Sequence, residues 1–320
     1  MLPLRSVYNI IMNNIKKTLF PFPIDMDKCH KWAIELEIPK RSDVILYTSC
    51  LYQMIPYINS MVDFLEKADN SSFWQIGLKL LGRFPSLASL SKIFIKVSDR
   101  DFEPIYNILK SIVFLLRKSG VEFGYLYQDD IYCGALLYDL GLDQLFAEHA
   151  RKVEERLRKN NVRKIITIDP HTHHTFCSLY PKYLDTFDYE VISYLEILDS
   201  RLAEPLEKIS GTYTIHDACL YARWENIISQ PRNLLCKIGV ELVEPRKSGA
   251  HTNCCGGPVE SLAPKIAKAV AEGRIQELKE VSNRAITLCP ICFANLSRYA
   301  TKRGLEIFDI ATILAKSYRT

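Results

Sequence analysis

The stretches Ile166-Thr-Ile-Asp169-Pro-His-Thr172 and Ile286-Thr-Leu-Cys289-Pro-Ile-Cys292 align without a gap, Asp169 falling on Cys289 and Thr172 on Cys292. Upstream, Tyr132-Cys133-Gly134 matches Cys254-Cys255-Gly256, and the apolar run ending at Cys50 matches the one ending at Cys219. Cys133 precedes Asp169 by 36 positions and Cys255 precedes Cys289 by 34. Three anchors in one order, with one interval nearly kept, indicate an internal duplication. Cys50 and Cys133 are 83 positions apart, against 36 for Cys219 and Cys255, so the first copy carries an insertion.

Both copies alternate short apolar runs with longer amphipathic ones. Strands are predicted at Asp43–Cys50, Lys164–Ile168, Tyr213–Cys219, Gly239–Glu244 and Ala285–Leu288, and helices at Leu51–Glu66, Leu142–Asn160 and Pro264–Leu278. That alternation predicts an α/β architecture of two pseudo-symmetric domains, each a small, mostly parallel sheet flanked by helices. The expected divisions are a helical lead-in over 1–42, a first domain over 43–205 with a helical insertion near 68–118, and a second domain over 206–320. Residues 71–97 are strongly apolar but broken by Gly77, Gly82 and Pro85. Core packing of an inserted helical hairpin, a docking surface and membrane contact are the readings open for that segment.

The 320 residues are 48% hydrophobic and 24% charged, with a net charge of +4. This excludes a disordered chain, a collagen-like fibre and a coiled-coil rod. The 41 basic residues are nearly matched by 37 acidic ones, which argues against nucleic acid as a partner. No apolar run has the roughly 18 to 20 residues that span a bilayer, and Met1 to Leu19 does not read as a secretory signal. With ten cysteines, a reduced compartment is expected, and the cytoplasm fits.

Five of those cysteines form a three-station pattern. Cys219 is followed after 34 residues by Cys254 and Cys255, and after 33 more by Cys289 and then Cys292. Each station falls at a strand end, where parallel-sheet proteins assemble sites. Thiolates are soft ligands that select zinc or iron–sulfur clusters. Zinc or a cubane cluster needs four, so a fifth suggests a larger cluster or an open redox position. Gly256 and Gly257 allow close backbone approach to inorganic sulfide. Lone Cys29, Cys177 and Cys236 read as ordinary buried cysteines.

Cys219, Cys254-Cys255-Gly256-Gly257-Pro258 and Cys289-Pro290-Ile291-Cys292 resemble the cysteine-rich CCG domain that occurs twice in the B subunit of heterodisulfide reductases. Related domains occur in archaeal succinate dehydrogenase subunits and in glycolate, lactate and glycerol-3-phosphate oxidation systems. Asn14 to Pro23 and Trp32 to Pro39 are similar to the lead-in that precedes the first domain of this family. The resemblance implies that Cys219, Cys254, Cys255, Cys289 and Cys292 bind a [4Fe-4S] cluster, non-cubane or simpler. In the reductases two such clusters face each other and cleave a disulfide between them. Here Tyr132, Asp169 and Thr172 replace cysteine in the first copy, so a two-cluster cleavage does not carry over. A second site built from Cys50, Cys133, Asp169 and His171, with His173, His174 and the nearby Cys177 as further candidate ligands and zinc as its metal, is the alternative for that copy, alongside a polar pocket.

These readings give two functions. In the first, electrons pass between a partner subunit and a disulfide or other sulfur substrate at the five-cysteine cluster, with His171, His173 or His174 transferring protons. In the second, the chain is a non-catalytic electron-transfer or structural subunit of a flavin-dependent dehydrogenase or sulfur-oxidising complex. A zinc scaffold without redox chemistry is a third class. The resemblance implies a ferredoxin-like iron–sulfur subunit and a flavoprotein as partners in a hetero-oligomeric complex. A lipoate carrier or a homologous B subunit is a further partner to consider, and membrane association would come through partners.

Overall fold

Val44-Ile-Leu-Tyr47 (β1) and Lys164-Ile-Ile-Thr167 (β3) are buried beyond their first residue, as strands covered on both faces must be. They pair in parallel, Ile45 opposite Ile165, with β2 (Gly124–Tyr125) beside β1 and β4 (Glu190–Ser193) beside β3. In the second half β5 (Thr212–His216), β6 (Glu241–Leu242), β7 (Arg284–Thr287) and β8 (Glu306–Asp309) repeat the arrangement. The strand orders β2-β1-β3-β4 and β6-β5-β7-β8 are the same order twice, and all the pairings are parallel. The computed structural model describes residues 2–83 and 95–319.

The duplication extends to backbone detail. Asp169 and Cys289 each stand in extended backbone at φ −143° immediately before a helix whose first residue is proline. Proline suits that position because its missing N–H has no partner in the helix. Gly134 and Gly256 share the left-handed conformation, at φ 85° and 84°. Ser193 and Asp309 cap the helices Tyr194–Arg201 and Ile310–Lys316 that follow the last strand of each half.

The two halves share one apolar core. Trp32, Leu46 and Ile166 belong to the same buried cluster as Ile215, Ile286 and Leu314, while a second cluster lies within the first half. Each such side chain stabilises the fold by about 1.5–3 kcal/mol on burial. The helix Glu103–Lys118 of the first half packs on Ile310–Lys316 of the second, and Ile55–Asp69 packs on Pro290–Ala300. Tyr52 donates to Asp309 across 2.7 Å, Ser193 and Tyr221 share a hydroxyl bond of 3.0 Å, and Arg298 donates to Asn59 at 2.7 Å.

Helices at Leu4–Thr18 and Met26–Glu35 occupy the lead-in. Within the apolar segment, Ser72–Arg83 is a helix packed on Leu4–Thr18, with Leu78 buried and Phe73, Ile76 and Leu80 exposed. Phe84, Pro85, Leu87 and Leu90 lie outside the described residues. Among the described residues no helix is long and apolar enough to cross a membrane.

Candidate metal centre

The turn after β5 carries Cys219 as the first residue of a short helix, Cys219–Arg223. Asp217 holds that turn. Its buried carboxylate pairs with Arg232 at 2.8 Å and accepts the Gly249 amide at 2.6 Å. The stretch after β6 carries Cys254 and Cys255, and Asn295 fixes it by donating to the Cys255 carbonyl at 2.7 Å. The turn after β7 carries Cys289, with Cys292 in the first turn of Pro290–Ala300. Three loops at the same end of one parallel sheet therefore deliver all five thiols.

The five sulfurs meet in a chain of side-chain contacts. Cys219 touches Cys254, Cys254 touches Cys255, Cys255 touches Cys292, and Cys292 touches Cys289. None of the five is in a disulfide. The Gly256 and Gly257 amides donate to the sulfurs of Cys254 and Cys255 at 3.3 and 3.4 Å. A Cβ on Gly257 would sit 2.3 Å from Ile291 Cγ2 and 3.4 Å from the Cys255 sulfur, and one on Gly256 would sit 2.6 Å from the Ala267 carbonyl oxygen. Both positions need glycine for space, and Gly256 needs it for its φ as well.

Crowding divides the charges. Hydrogen bonds from Cys219 and Cys255, together with the Gly256 amide, hold the Cys254 thiol well below its usual range. Burial works against ionisation of Cys289, but bonds from Cys292 and His171 outweigh it and hold this group low too. The same contacts push Cys219, Cys255 and Cys292 upward. Ionising all five together calls for a compensating positive charge, which a bound metal supplies. Five neighbouring sulfurs, with glycine amides donating to two of them, fit a polynuclear iron–sulfur group better than one ion.

Two neighbours of this set were not legible as site residues. One ring nitrogen of His216 lies within 4.8 Å of the Cys255 and Cys292 sulfurs. Arg274, itself buried, donates from Nε to His216 Nδ1 at 3.0 Å. The ring is thereby kept neutral with its proton on Nε2, and burial, aided by the Arg274 charge, lowers its pKa to about 3. His216 stands three residues before Cys219, and that proximity was the available signal. Arg274 lies in the middle of the helix Pro264–Lys279, where nothing in the sequence marks it.

His171, His173 and His174 part company in the fold. Pro170–His174 is a helix continued by a π-turn over Thr175–Leu179, so the three rings fan outward. His171 lies against Cys289, which makes it a first-half residue that joins the five-thiol site. Burial lowers its pKa, but the Cys289 bond and charge and the Asp169 and Asp139 carboxyls outweigh this and raise it to about 9. His173 instead meets Thr167 Oγ1 at 2.8 Å and the Cys177 sulfur at 3.7 Å, and burial lowers its pKa to about 4. His174 pairs with Glu225 at 2.5 Å.

The other first-half candidates fall into separate contacts. Cys50 lies against Cys29 and the Asp130 carbonyl, whereas Cys133 lies 3.8 Å from Thr172 Oγ1. Asp169 caps its helix through the Thr172 amide at 2.8 Å, and its other oxygen is buried without a partner. Tyr132 fills its position by accepting the Leu136 amide at 2.7 Å. Asp130, buried and bonded to the Thr48 and Ser49 amides, is pushed up to about 7 by burial. Of the three cysteines read as ordinary, Cys29 is buried, Cys177 contacts His173, and Cys236 is exposed rather than buried.

A cavity of about 80 Å³ lies between the halves, lined by Leu51, Met54, Tyr132, His171, Gly257 and Ile291 among others, with none of the cysteines in its wall. It is mostly apolar and admits a small group rather than a bulky molecule.

Residues 213–297 match the family described as the CCG cysteine-rich domain. Over 66% of its length the chain is 30% identical to a Bacillus subtilis protein named "Probable iron-sulfur-binding oxidoreductase FadF", covering 31% of that protein. It is 28% identical to the EtfAB:quinone oxidoreductase of Syntrophomonas wolfei, over 65% of this chain and 31% of that one. It is 26% identical to the D subunit of the dihydromethanophenazine:CoB–CoM heterodisulfide reductase of Methanosarcina acetivorans, over 63% of this chain and 53% of that subunit. The chain thus spans about a third of the length of the first two. With two sheets of one topology and this match in the second, residues 213–297 form a CCG cysteine-rich domain, the chain is similar to iron–sulfur oxidoreductases and to a heterodisulfide reductase subunit, and its first copy has cysteine at two of the five equivalent positions.

Proposed function

We propose that this chain is an iron–sulfur, electron-transferring subunit of a heterodisulfide reductase-like complex. Cys219, Cys254, Cys255, Cys289 and Cys292 would hold a [4Fe-4S] cluster, which supplies one-electron transfer and, at an iron with spare coordination, a place for a substrate sulfur. The observation that carries the reading is the unbroken chain of contacts through all five sulfurs. The names of the relatives, iron–sulfur-binding oxidoreductases and a heterodisulfide reductase subunit, support it.

The chain's own groups have distinct tasks in this reading. The Gly256 and Gly257 amides orient two of the sulfurs, and Ile291 with the apolar cavity wall keeps water away. His171, which touches Cys289 and lines the cavity, is placed to hold a proton for a leaving thiolate. His173 and His174 face elsewhere and are not assigned that task. Because a disulfide takes two electrons and a cluster passes one at a time, a partner with further redox groups is needed. A flavoprotein or ferredoxin-like subunit in the cytoplasm would supply it.

A specific observation favours a second reading, electron transfer without catalysis. The first-half positions equivalent to cluster cysteines are spent on structure, Asp169 as a helix cap and Tyr132 on the Leu136 amide, which leaves no equivalent thiol set for a second cluster across the cavity. A Cys255→Ser variant separates the two readings. Disulfide turnover lost with complex assembly intact supports catalysis here. Turnover persisting in a complex whose chain carries no iron assigns the chemistry to a partner.

A further inference from the structure

We infer that His173, Cys177 and Glu225 form a second metal site, independent of the five-cysteine set and built for a zinc-class divalent ion. A His173 ring nitrogen, the Cys177 sulfur and a Glu225 carboxylate oxygen lie within 4.8 Å of one another. Ligand atoms about 2.0–2.3 Å from a zinc ion need only a small contraction from that spacing. One nitrogen, one sulfur and one oxygen from three side chains, with a fourth position open, is a zinc set, whereas hard cations take oxygen alone.

The surroundings prepare each ligand. His173 Nδ1 meets Thr167 Oγ1 at 2.8 Å, and that hydroxyl in turn donates to the Ile192 carbonyl at 3.3 Å. The hydroxyl must then accept from Nδ1–H, so the His173 lone pair sits on Nε2, the nitrogen nearer Cys177 at 3.7 Å. A metal-bound histidine is usually held this way by a partner on its other nitrogen. Among the described residues both side-chain hydrogen bonds to Glu225, from His174 at 2.5 Å and Ser178 at 2.7 Å, end on Oε1, which leaves Oε2 available. His173 and Cys177 are four residues apart on one face of the helix and its π-turn, a distortion frequent at functional sites. Cys177 is half-buried and Trp224 beside Glu225 is 68% exposed, so an ion can enter from solvent.

Binding releases the Cys177 proton and involves no redox change. Because Glu225 belongs to the second half and the other two to the first, the ion would tie the His171 helix to the loop after Cys219–Arg223.

The test is metal analysis of the full-length chain, purified anaerobically, incubated with zinc alone and desalted. One zinc per chain is expected. Cys177→Ser and Glu225→Gln should each weaken zinc binding at least tenfold with iron content unchanged, and Cys289→Ser should lower iron while zinc stays. Absence of zinc from the wild type, zinc unchanged in Cys177→Ser, or zinc lost with iron in Cys289→Ser overturns the site. A variant that fails to fold is bypassed by alkylating the wild type and reading the Cys177 peptide by mass spectrometry. One equivalent of zinc should slow its labelling at least tenfold, and an unchanged rate counts against the site.

Discussion

His171, carried by the first half, lies against the sulfur of Cys289, the residue that opens the last cysteine station of the second. Pro170–His174 starts at the same strand-end position in its half as Pro290–Ala300 does in the other. The half without its cysteines therefore still contributes to the site that keeps them.

Replacing His171 by Ala removes the polar donor beside the Cys289 sulfur, which in the proposed function is a cluster ligand. Iron content should be retained and the reduction potential should fall, because such donors favour the more negative reduced state. A bond worth about 1 kcal/mol corresponds to roughly 40 mV for one electron. Anaerobic redox titration checks this; an unchanged potential would place His171 outside the electronic surroundings of the cluster.

Gly257→Ala should damage the site by steric conflict alone, since its Cβ would meet Ile291 Cγ2 at 2.3 Å. Overpacking of this kind costs about 1–3 kcal/mol. Less iron is expected, with recovery when Ile291→Ala is added. Failure of the second change to restore iron would show that the glycine is needed for another reason.

Arg274 donates to His216, the Lys247 carbonyl, Glu277 and Thr252 from a fully buried guanidinium. Arg274→Met leaves several buried acceptors unpaired, at a cost of about 2–4 kcal/mol. Urea unfolding of the metal-free chain should show the loss, and a shift below 0.5 kcal/mol, about that of an ordinary surface substitution, would refute it.

Glu260 is buried, its Oε2 has no partner, and burial pushes its pKa up to about 8 against an ordinary 4.5. A group raised on folding holds its proton more tightly in the native chain, so its contribution is complete below pH 4.5 and is lost as pH rises towards 8. Relative to Glu260→Gln, wild-type stability should fall across that window by up to about 1.4 kcal/mol per pH unit. Parallel pH profiles of the two proteins would contradict the assignment.

The sequence made much of this architecture legible because the duplication is written in residues with strong local demands. Pro170 and Pro290 after an extended residue, and Gly134 and Gly256 at positive φ, mark the same turns in both halves. The edge strands β4 and β8 were missed. Glu190-Val-Ile-Ser193 and Glu306-Ile-Phe-Asp309 are short and only their last residues are fully buried, so neither shows the apolar run of a central strand. The five thiols were found through their spacing. His216 and Arg274 were not, because a buried hydrogen bond between residues 58 positions apart leaves no local pattern. The separation of His171 from His173 and His174 follows from helical backbone, in which one residue turns a side chain by about 100°.

The account rests most directly on iron and sulfide analysis with electron paramagnetic resonance, applied to the anaerobically purified chain and to five single Cys→Ser variants. About four irons per chain and a thiolate-held cluster signal are expected in the wild type. Changing Cys219, Cys254, Cys255, Cys289 or Cys292 should lower iron or alter the signal, while Cys29→Ser and Cys236→Ser leave both intact. A colourless protein without iron, or full iron and an unchanged signal in all five variants, would contradict it.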